Sequence, residues 1–193
     1  MVRALIGAVA GAVAMFIIGF IFFGIGLERM VIGSLDNAQA AAVQQAMAAN
    51  IPSTGAYVIP NMTTPEQTIM YGHGPTAIIQ YDTKGYPAAD PAVMIEGFIE
   101  MLVVTLIMAF GLRRMVQYIP DFGEQIRLLG AAILGIAIFM RIGDAIWMHY
   151  SWSFSIYGFI NDAISLSVAG AIILKLLPKG SVAAAPAGAT SDL

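Results

Sequence analysis

Residues 128–176 read LLGAAILGIAIFMRIGDAIWMHYSWSFSIYGFINDAISLSVAGAIILKL. They contain two long apolar runs, Leu128–Met148 and Phe154–Leu176, separated by a short polar and aromatic segment. A helix needs about 20 mostly apolar residues to cross a hydrocarbon core about 30 Å thick, and each run supplies that length. The stretch therefore predicts two antiparallel transmembrane helices joined by a tight turn.

Two further apolar runs lie upstream, at Ala4–Leu27 and Ala92–Leu112, and bring the number of predicted spans to four. The composition agrees with this prediction. Of the 193 residues, 59% are hydrophobic and only 11% are charged, whereas an ordinary soluble domain has about a quarter charged residues. The sequence predicts an all-α membrane protein with four transmembrane helices.

The basic residues predict how these spans are oriented, because cytoplasmic loops carry an excess of Lys and Arg. Six basic residues fall on one side of a four-span topology: Arg3, Arg113, Arg114, Arg127, Lys175 and Lys179. The opposite side receives only Arg29 and Lys84, although its first loop is much the longest. We therefore expect both termini in the cytoplasm and residues 28–91 on the extracytoplasmic side.

Residues 28–91 are too long and too patterned to be a simple connector. Asp36 is placed to cap one helix, and Thr64 is placed to cap a second. The segments Gly55–Ile59 and 76–81 are typical of short strands. These signals predict a small α/β extracytoplasmic cap between helices 1 and 2. Because an isolated two-stranded hairpin is marginal in water, the cap is expected to lean on the membrane helices or on a partner.

The predicted organisation has four parts. They are transmembrane helix 1 (1–27), the cap (28–91), a three-helix transmembrane region (92–179) and a flexible cytoplasmic tail (180–193). The tail is assigned from its composition, which is rich in Ala, Pro and Ser.

Charged and polar side chains enter the predicted spans near their extracytoplasmic ends. This intramembrane polar cluster comprises Glu96, Glu100, Arg141, Asp144, His149 and Asp162. A charge facing lipid at this depth costs on the order of 2.5–3.5 kcal/mol, so these groups are expected to face one another. Arg141 is the only buried cation among these carboxylates, so it is the expected hub, with Asp144 or Asp162 as its partner. The excess of acid implies that one carboxyl, with Glu100 as the candidate, is protonated or hydrated.

Three interpretations of the cluster are open at this point. The first is an ion-pair and hydrogen-bond network that fixes helix register. The second is a proton or cation pathway, or a ligand site that opens outward. The third is a metal site. The metal site would use Glu96 and Glu100, which lie one turn apart on one helix face, with Asp144 and His149. The Glu-x-x-His pattern of carboxylate-bridged metals is missing, however, so neither a metal nor a cofactor is predicted.

The composition also excludes several kinds of site. The chain has no cysteine, which excludes disulfides, thiolate metal sites and cysteine nucleophiles. Its net charge is −3 and it has no basic patch, so nucleic acid is not an expected partner.

Span 1 carries glycines at helical spacing and no charge within the membrane. Gly7 and Gly11 lie four residues apart, and Gly19 follows further along the helix. Small residues at this spacing let helix backbones approach closely. They predict a helix-packing face, and we expect it to contact other membrane protein subunits or a second copy of the chain.

Five segments carry a resemblance to a known family: Arg3–Gly7, Met15–Phe20, Asn50–Tyr57, Gly74–Thr76 and Gly143–Trp147. They are similar to segments of a family of small bacterial inner-membrane proteins with four spans, and the resemblance in layout extends over most of the chain. The resemblance implies this topology and a bacterial inner membrane. That family has no assigned activity, so the resemblance implies no catalytic residues.

These observations favour a non-enzymatic accessory subunit of a larger inner-membrane complex, which docks through helix 1 and the cap. The sequence shows no reactive constellation, and therefore no catalytic residue is predicted. The alternative is a small proton-conducting, ion-conducting or transport protein built on the intramembrane polar cluster. Four spans without an inverted repeat make a poor stand-alone transporter, although an oligomer could form a pore.

Overall fold

The structure is a computed structural model that describes residues 1–178; Lys179 and the predicted tail at 180–193 lie outside the described residues. The chain divides into two compact units. One is a helical bundle built from Met1–Ile32 and the chain from Pro91 onward, and the other is the cap unit, Gly33–Asp90.

The elements, in chain order, are α1 (Val2–Gly19), α2 (Asn37–Asn50), β1 (Gly55–Ile59), α3 (Pro65–His73), β2 (Ala77–Tyr81), α4 (Pro91–Tyr118), α5 (Phe122–Ala137), α6 (Gly143–Trp147) and α7 (Trp152–Leu176). Two π-helical turns interrupt the long helices. Phe20–Gly24 extends α1, and Ile138–Ile142 joins α5 to α6. A short 3₁₀ turn, Leu27–Met30, follows the first of them.

Four helical segments of the bundle are long and apolar enough to cross a membrane, which confirms the predicted number of spans. Span 1 is Val2–Gly24, span 2 is Pro91–Tyr118, span 3 is Phe122–Trp147 and span 4 is Trp152–Leu176. The chain is thus a multi-pass membrane protein by the length and composition of its helices.

Span 3 begins earlier than its apolar run predicted, at Phe122 rather than Leu128. The reason is local, because the Asp121 carboxylate accepts a hydrogen bond from the Glu124 amide at 2.8 Å and caps the helix there. A second bond holds the turn between spans 2 and 3. The buried Gln125 side chain donates to the Ile119 carbonyl at 2.6 Å.

Helix α1 packs antiparallel against both α7 and α4. A Cβ placed at Gly7 would lie 3.3 Å from the Ile173 Cα, and one at Gly11 would lie 3.3 Å from the Thr105 Cγ2. Alanine fills the remaining contact positions, and Ala8, Ala12 and Ala169 are fully buried. Small side chains on α1 therefore allow the close backbone approach that membrane helices use in place of a hydrophobic driving force.

The antiparallel packing gives the bundle two distinct ends. Span 1 begins and span 4 ends at the Val2 end, where spans 2 and 3 are also joined. Span 1 ends and span 2 begins at the Gly24 end, where spans 3 and 4 are joined.

The cap unit contains the predicted small two-stranded sheet and two helices. Strands β1 and β2 pair antiparallel, with Gly55 opposite Tyr81 and Ile59 opposite Ala77. Helix α2 begins with the capping box that its sequence predicts, since the Asp36 carboxylate accepts from the Gln39 amide at 2.8 Å and the Gln39 side chain accepts from the Asp36 amide. Within the whole unit, Ile51 alone is buried.

Candidate polar site within the helical bundle

A cleft with a polar wall opens among spans 1, 2, 3 and 4, towards the Gly24 end of the bundle. Its volume is about 460 Å³. Its polar wall consists of Glu100, Arg141, Asn161, Asp162 and Ser165, and its apolar wall consists of Met15, Gly19, Phe23, Met101, Val104 and Leu166. Three of the six residues of the predicted polar cluster therefore meet at one place.

Arg141 and Asp162 form the ion pair at the centre of the polar wall. The Arg141 Nε lies 2.7 Å from the Asp162 Oδ2, and the Nη2 lies 3.3 Å from the Oδ1. Two parallel bonds from one guanidinium to one carboxylate fix the geometry more tightly than a single contact would. Of the two partners that the sequence allowed for Arg141, the structure selects Asp162.

The path of the Arg141 side chain depends on a glycine in span 4. A Cβ at Gly158 would lie 3.2 Å from both the Cζ and the Nε of Arg141. The guanidinium therefore crosses α7 directly over Gly158 and reaches Asp162, which lies one turn further along the same helix. The π-helical turn Ile138–Ile142 contains Arg141, and such turns inside α-helices are frequent at functional sites.

Two neutral side chains extend the ion pair along α7. The side-chain Nδ2 of Asn161 donates to the Asp162 Oδ1 at 3.1 Å. The Ser165 hydroxyl donates to the side-chain Oδ1 of Asn161 at 3.4 Å. The pair is not sealed, because the side chains of Arg141 and Asp162 keep 35% and 26% of their accessible surface. A guest molecule or water in the cleft can therefore reach both charges.

Glu100 lines this cleft from span 2, and its side chain is exposed, as that of Glu96 is. Within residues 1–178, its carboxylate makes no hydrogen bond and no ion pair. An unpaired carboxylate that faces lipid is costly at membrane depth, whereas an exposed one that lines a cleft keeps access to water. The cleft thus carries one compensated charge pair and one uncompensated acid.

The remaining members of the predicted cluster lie outside the cleft. Asp144 lies one turn beyond Arg141 and attracts it electrostatically, but makes no hydrogen bond to it. Glu96 is exposed, one turn before Glu100. His149 follows the end of α6 with a φ of 54°, and its side chain is also exposed. All three were expected to face the hub; Asp144 is half-buried near Arg141, whereas Glu96 and His149 are exposed away from it.

The metal interpretation finds no support in the part of the chain that the structure describes. Within residues 1–178, no group of three His, Asp or Glu side chains is arranged to hold a metal ion.

The sequence did not predict a contact of Tyr157 at the Gly24 end. There the Tyr157 hydroxyl donates to the Phe22 carbonyl at 2.5 Å, and its ring packs against Phe22 and Phe23. The aromatic side chain could be located from the sequence, but its inward direction could not.

The three glycines of the predicted packing face all contact helices of the same chain. Gly7 and Gly11 lie against α7 and α4, and a Cβ at Gly19 would meet the Met101 side chain at 3.5 Å. The face is thus used for helix packing, as expected, but within the bundle. The side of α1 that stays exposed is a stripe of larger apolar residues: Leu5, Val9, Val13 and Ile17.

No protein-family model, no curated protein sequence and no solved structure matches the chain. The family resemblance therefore rests on the sequence segments alone.

Proposed function

We propose that this protein is a non-enzymatic accessory subunit of a larger complex in a bacterial inner membrane. In this proposal both termini are cytoplasmic and residues 28–91 are extracytoplasmic. The distribution of basic residues supports the orientation, since Arg113, Arg114 and Arg127 all fall at the Val2 end of the bundle.

One observation carries the proposal, namely how little the cap unit buries. It has two helices and a two-stranded sheet, yet Ile51 is its only buried residue. A sheet of two strands is marginal in water without a packed face. A surface that covers the cap would supply the missing burial, and a neighbouring subunit provides such a surface.

Two exposed apolar surfaces are available for docking. On the cap, Ile69 and Met70 of α3 are more than half exposed. On helix 1, docking must use the stripe from Leu5 to Ile17, because the glycine face is already occupied by α4 and α7. Large exposed apolar side chains on a water-facing unit are typical of interaction sites.

Co-purification in a mild detergent tests the proposal. We expect the full-length protein to migrate with a stoichiometric membrane partner, and I69D/M70D to lose that partner while the bundle stays folded. The matched control is Q44D/Q45D, which places two charges on the polar surface of α2 and should keep the partner. Recovery of the unaltered protein only as a monomer would overturn the proposal.

The orientation can be tested separately, because the chain has no cysteine and any introduced cysteine is unique. In intact cells, a membrane-impermeant maleimide should label T83C in the cap and leave Q117C, at the Val2 end, unlabelled. The reverse pattern would contradict the proposed orientation and leave the docking argument unchanged.

A second candidate function is supported by Glu100. A small proton-conducting or cation-conducting protein would need an acid that accepts and releases a charge, and Glu100 faces the polar cleft without a partner among the described residues.

Flux measured in liposomes distinguishes this candidate from the first. Conduction by Glu100 predicts a proton or cation flux that E100Q abolishes and E96Q, one turn away and outside the cleft, leaves unchanged. Absence of flux through the unaltered protein removes the candidate.

A further inference from the structure

A second cleft lies at the Val2 end of the bundle, away from the polar site. Its volume is about 310 Å³, and it is lined by Arg3 and Ile6 of span 1 and by Lys175 and Leu176 of span 4. Two of its four lining residues are therefore cations, and neither helix contributes an acid to it.

The close approach of α1 to α7 creates this arrangement. Gly7 brings the first turns of α1 against the last turns of α7, where a Cβ at Gly7 would lie 3.3 Å from the Ile173 Cα and 3.7 Å from the Leu176 Cβ. Arg3 lies one turn before Gly7, and Lys175 lies two residues after Ile173. The contact thus places one cation from each end of the described chain beside the same cleft.

The two cations have no partner among the described residues. Within residues 1–178 the only ion pair joins Arg141 to Asp162, and neither Arg3 nor Lys175 makes a hydrogen bond through its side chain. Both side chains are exposed. Two neighbouring cations repel each other, and an anion between them would remove that repulsion and add charge-assisted hydrogen bonds.

The position of the cleft selects the kind of anion. Arg3 and Lys175 lie at the boundaries of spans 1 and 4, where long basic side chains reach the headgroup layer of a bilayer. Ile6 is exposed beside them and provides an apolar surface on the hydrocarbon side. A phosphate with attached acyl chains satisfies both parts of the cleft, whereas a free phosphate satisfies only the cations.

From this geometry we infer that the cleft between Arg3 and Lys175 binds the headgroup phosphate of an anionic glycerophospholipid. Basic pockets between transmembrane helices are a known way of recognising such headgroups. Net charge supplies the selectivity. A zwitterionic lipid brings its own cation to the same place, so it gains much less from the pair than an anionic lipid does.

Retention of lipid, counted by native mass spectrometry after release from nanodiscs, tests the inference. We expect the full-length protein to retain phosphatidylglycerol in preference to phosphatidylcholine. R3Q/K175Q should weaken that retention about thirtyfold, the factor expected when two interfacial cations are lost. The matched control, R114Q/R127Q, removes the same charge at the same end of the bundle but outside the cleft, and should keep the preference.

Further measurements make the outcome decisive. The swap R3K/K175R keeps both charges and should keep phosphatidylglycerol, which separates a binding defect from misfolding. Soluble glycerol 3-phosphate should not compete; effective competition would assign the cleft to free phosphate and overturn the lipid inference. Equal retention of the two lipids by the unaltered protein, or equal losses in the two double variants, would overturn it as well.

Discussion

The helical bundle and the cap unit are held together in different ways. In the bundle, the decisive contacts join distant parts of the chain, such as Tyr157 with Phe22 and Arg141 with Asp162. In the cap, most side-chain bonds are local, and they cap helices or close turns. The difference shows that the bundle depends on long-range packing, whereas the cap depends on short-range hydrogen bonds. Substitutions should therefore act globally in the bundle and locally in the cap.

The largest effect on stability is expected when Arg141 loses its charge and Asp162 keeps its own. R141M leaves Asp162 unpaired at membrane depth and should lower the free energy of unfolding by about 2 kcal/mol. This is less than the loss for a fully buried pair, because about a third of the Arg141 side chain is exposed. Unfolding by SDS titration in mixed micelles measures it.

A double-variant cycle separates the pair from its surroundings. R141M/D162N should recover part of the loss, because it leaves no isolated charge behind. Losses of R141M and D162N that simply add would show that the two side chains act independently, and would contradict the central role given to the pair.

A global effect of about the same size is expected from filling a helix contact. In G11L the new side chain must enter a space where a Cβ already lies 3.3 Å from Thr105 and 3.4 Å from Ala169. Overpacking of this kind costs about 1–3 kcal/mol. The control is G111L on α4, where a Cβ meets nothing within 4 Å. Equal unfolding midpoints for the two variants would contradict the packing assigned to α1.

A local effect is expected at the start of α2. D36A removes the carboxylate that caps the helix and should destabilise α2 by about 1 kcal/mol. Hydrogen exchange of the Gln39 amide, which donates to Asp36 at 2.8 Å, should accelerate, while the unfolding midpoint of the bundle stays unchanged. D36S keeps a capping oxygen and should restore protection. A lowered midpoint for the bundle in D36A would show that the two regions are coupled.

The smallest effect concerns the turn that follows β2. The Tyr86 hydroxyl and the Lys84 amide donate to Asp82 and hold the pKa of its carboxyl below the usual value. Because the folded pKa is the lower one, the stabilising contribution is present above the unfolded pKa and is lost as the pH falls through the folded value. The turn should therefore stay closed from neutral pH down to about pH 4 and open below it.

Hydrogen exchange at the Lys84 amide, followed as a function of pH, measures this opening. Y86F removes the bond that lowers the pKa most, so the onset of opening should move to higher pH in that variant. An onset that is the same in Y86F and in the unaltered protein would show that the Tyr86 bond does not set the pKa of Asp82.

Much of the local structure could be predicted from the sequence. The capping residues Asp36 and Thr64 begin helices where expected, and the two predicted strands pair. These features depend on a few neighbouring residues, so a short segment contains the necessary information. The start of span 3 was wrong because hydropathy registers where a helix becomes apolar, whereas Asp121 begins the helix earlier through a hydrogen bond.

The polar site could be predicted only in part. The cost of lone charges in hydrocarbon predicts that Glu100, Arg141 and Asp162 share one polar region, but it does not say which acid Arg141 binds. That choice depends on the rotation of span 3 and on the open space over Gly158. Neither is a property of a short segment.

By itself, the sequence determined the number of spans, the caps of the short helices and the need for buried charges to find partners. These three features follow from hydrophobicity, from backbone hydrogen bonding and from the cost of placing a charge in the bilayer. Each of these effects acts on a residue independently of distant parts of the chain. Tertiary structure alone decided that Arg141 pairs with Asp162, that Glu100 is left facing a cleft, and that the glycines of α1 pack inside the bundle. Those outcomes require helices from separate parts of the chain to approach within a few ångströms, and only their mutual packing fixes which faces meet.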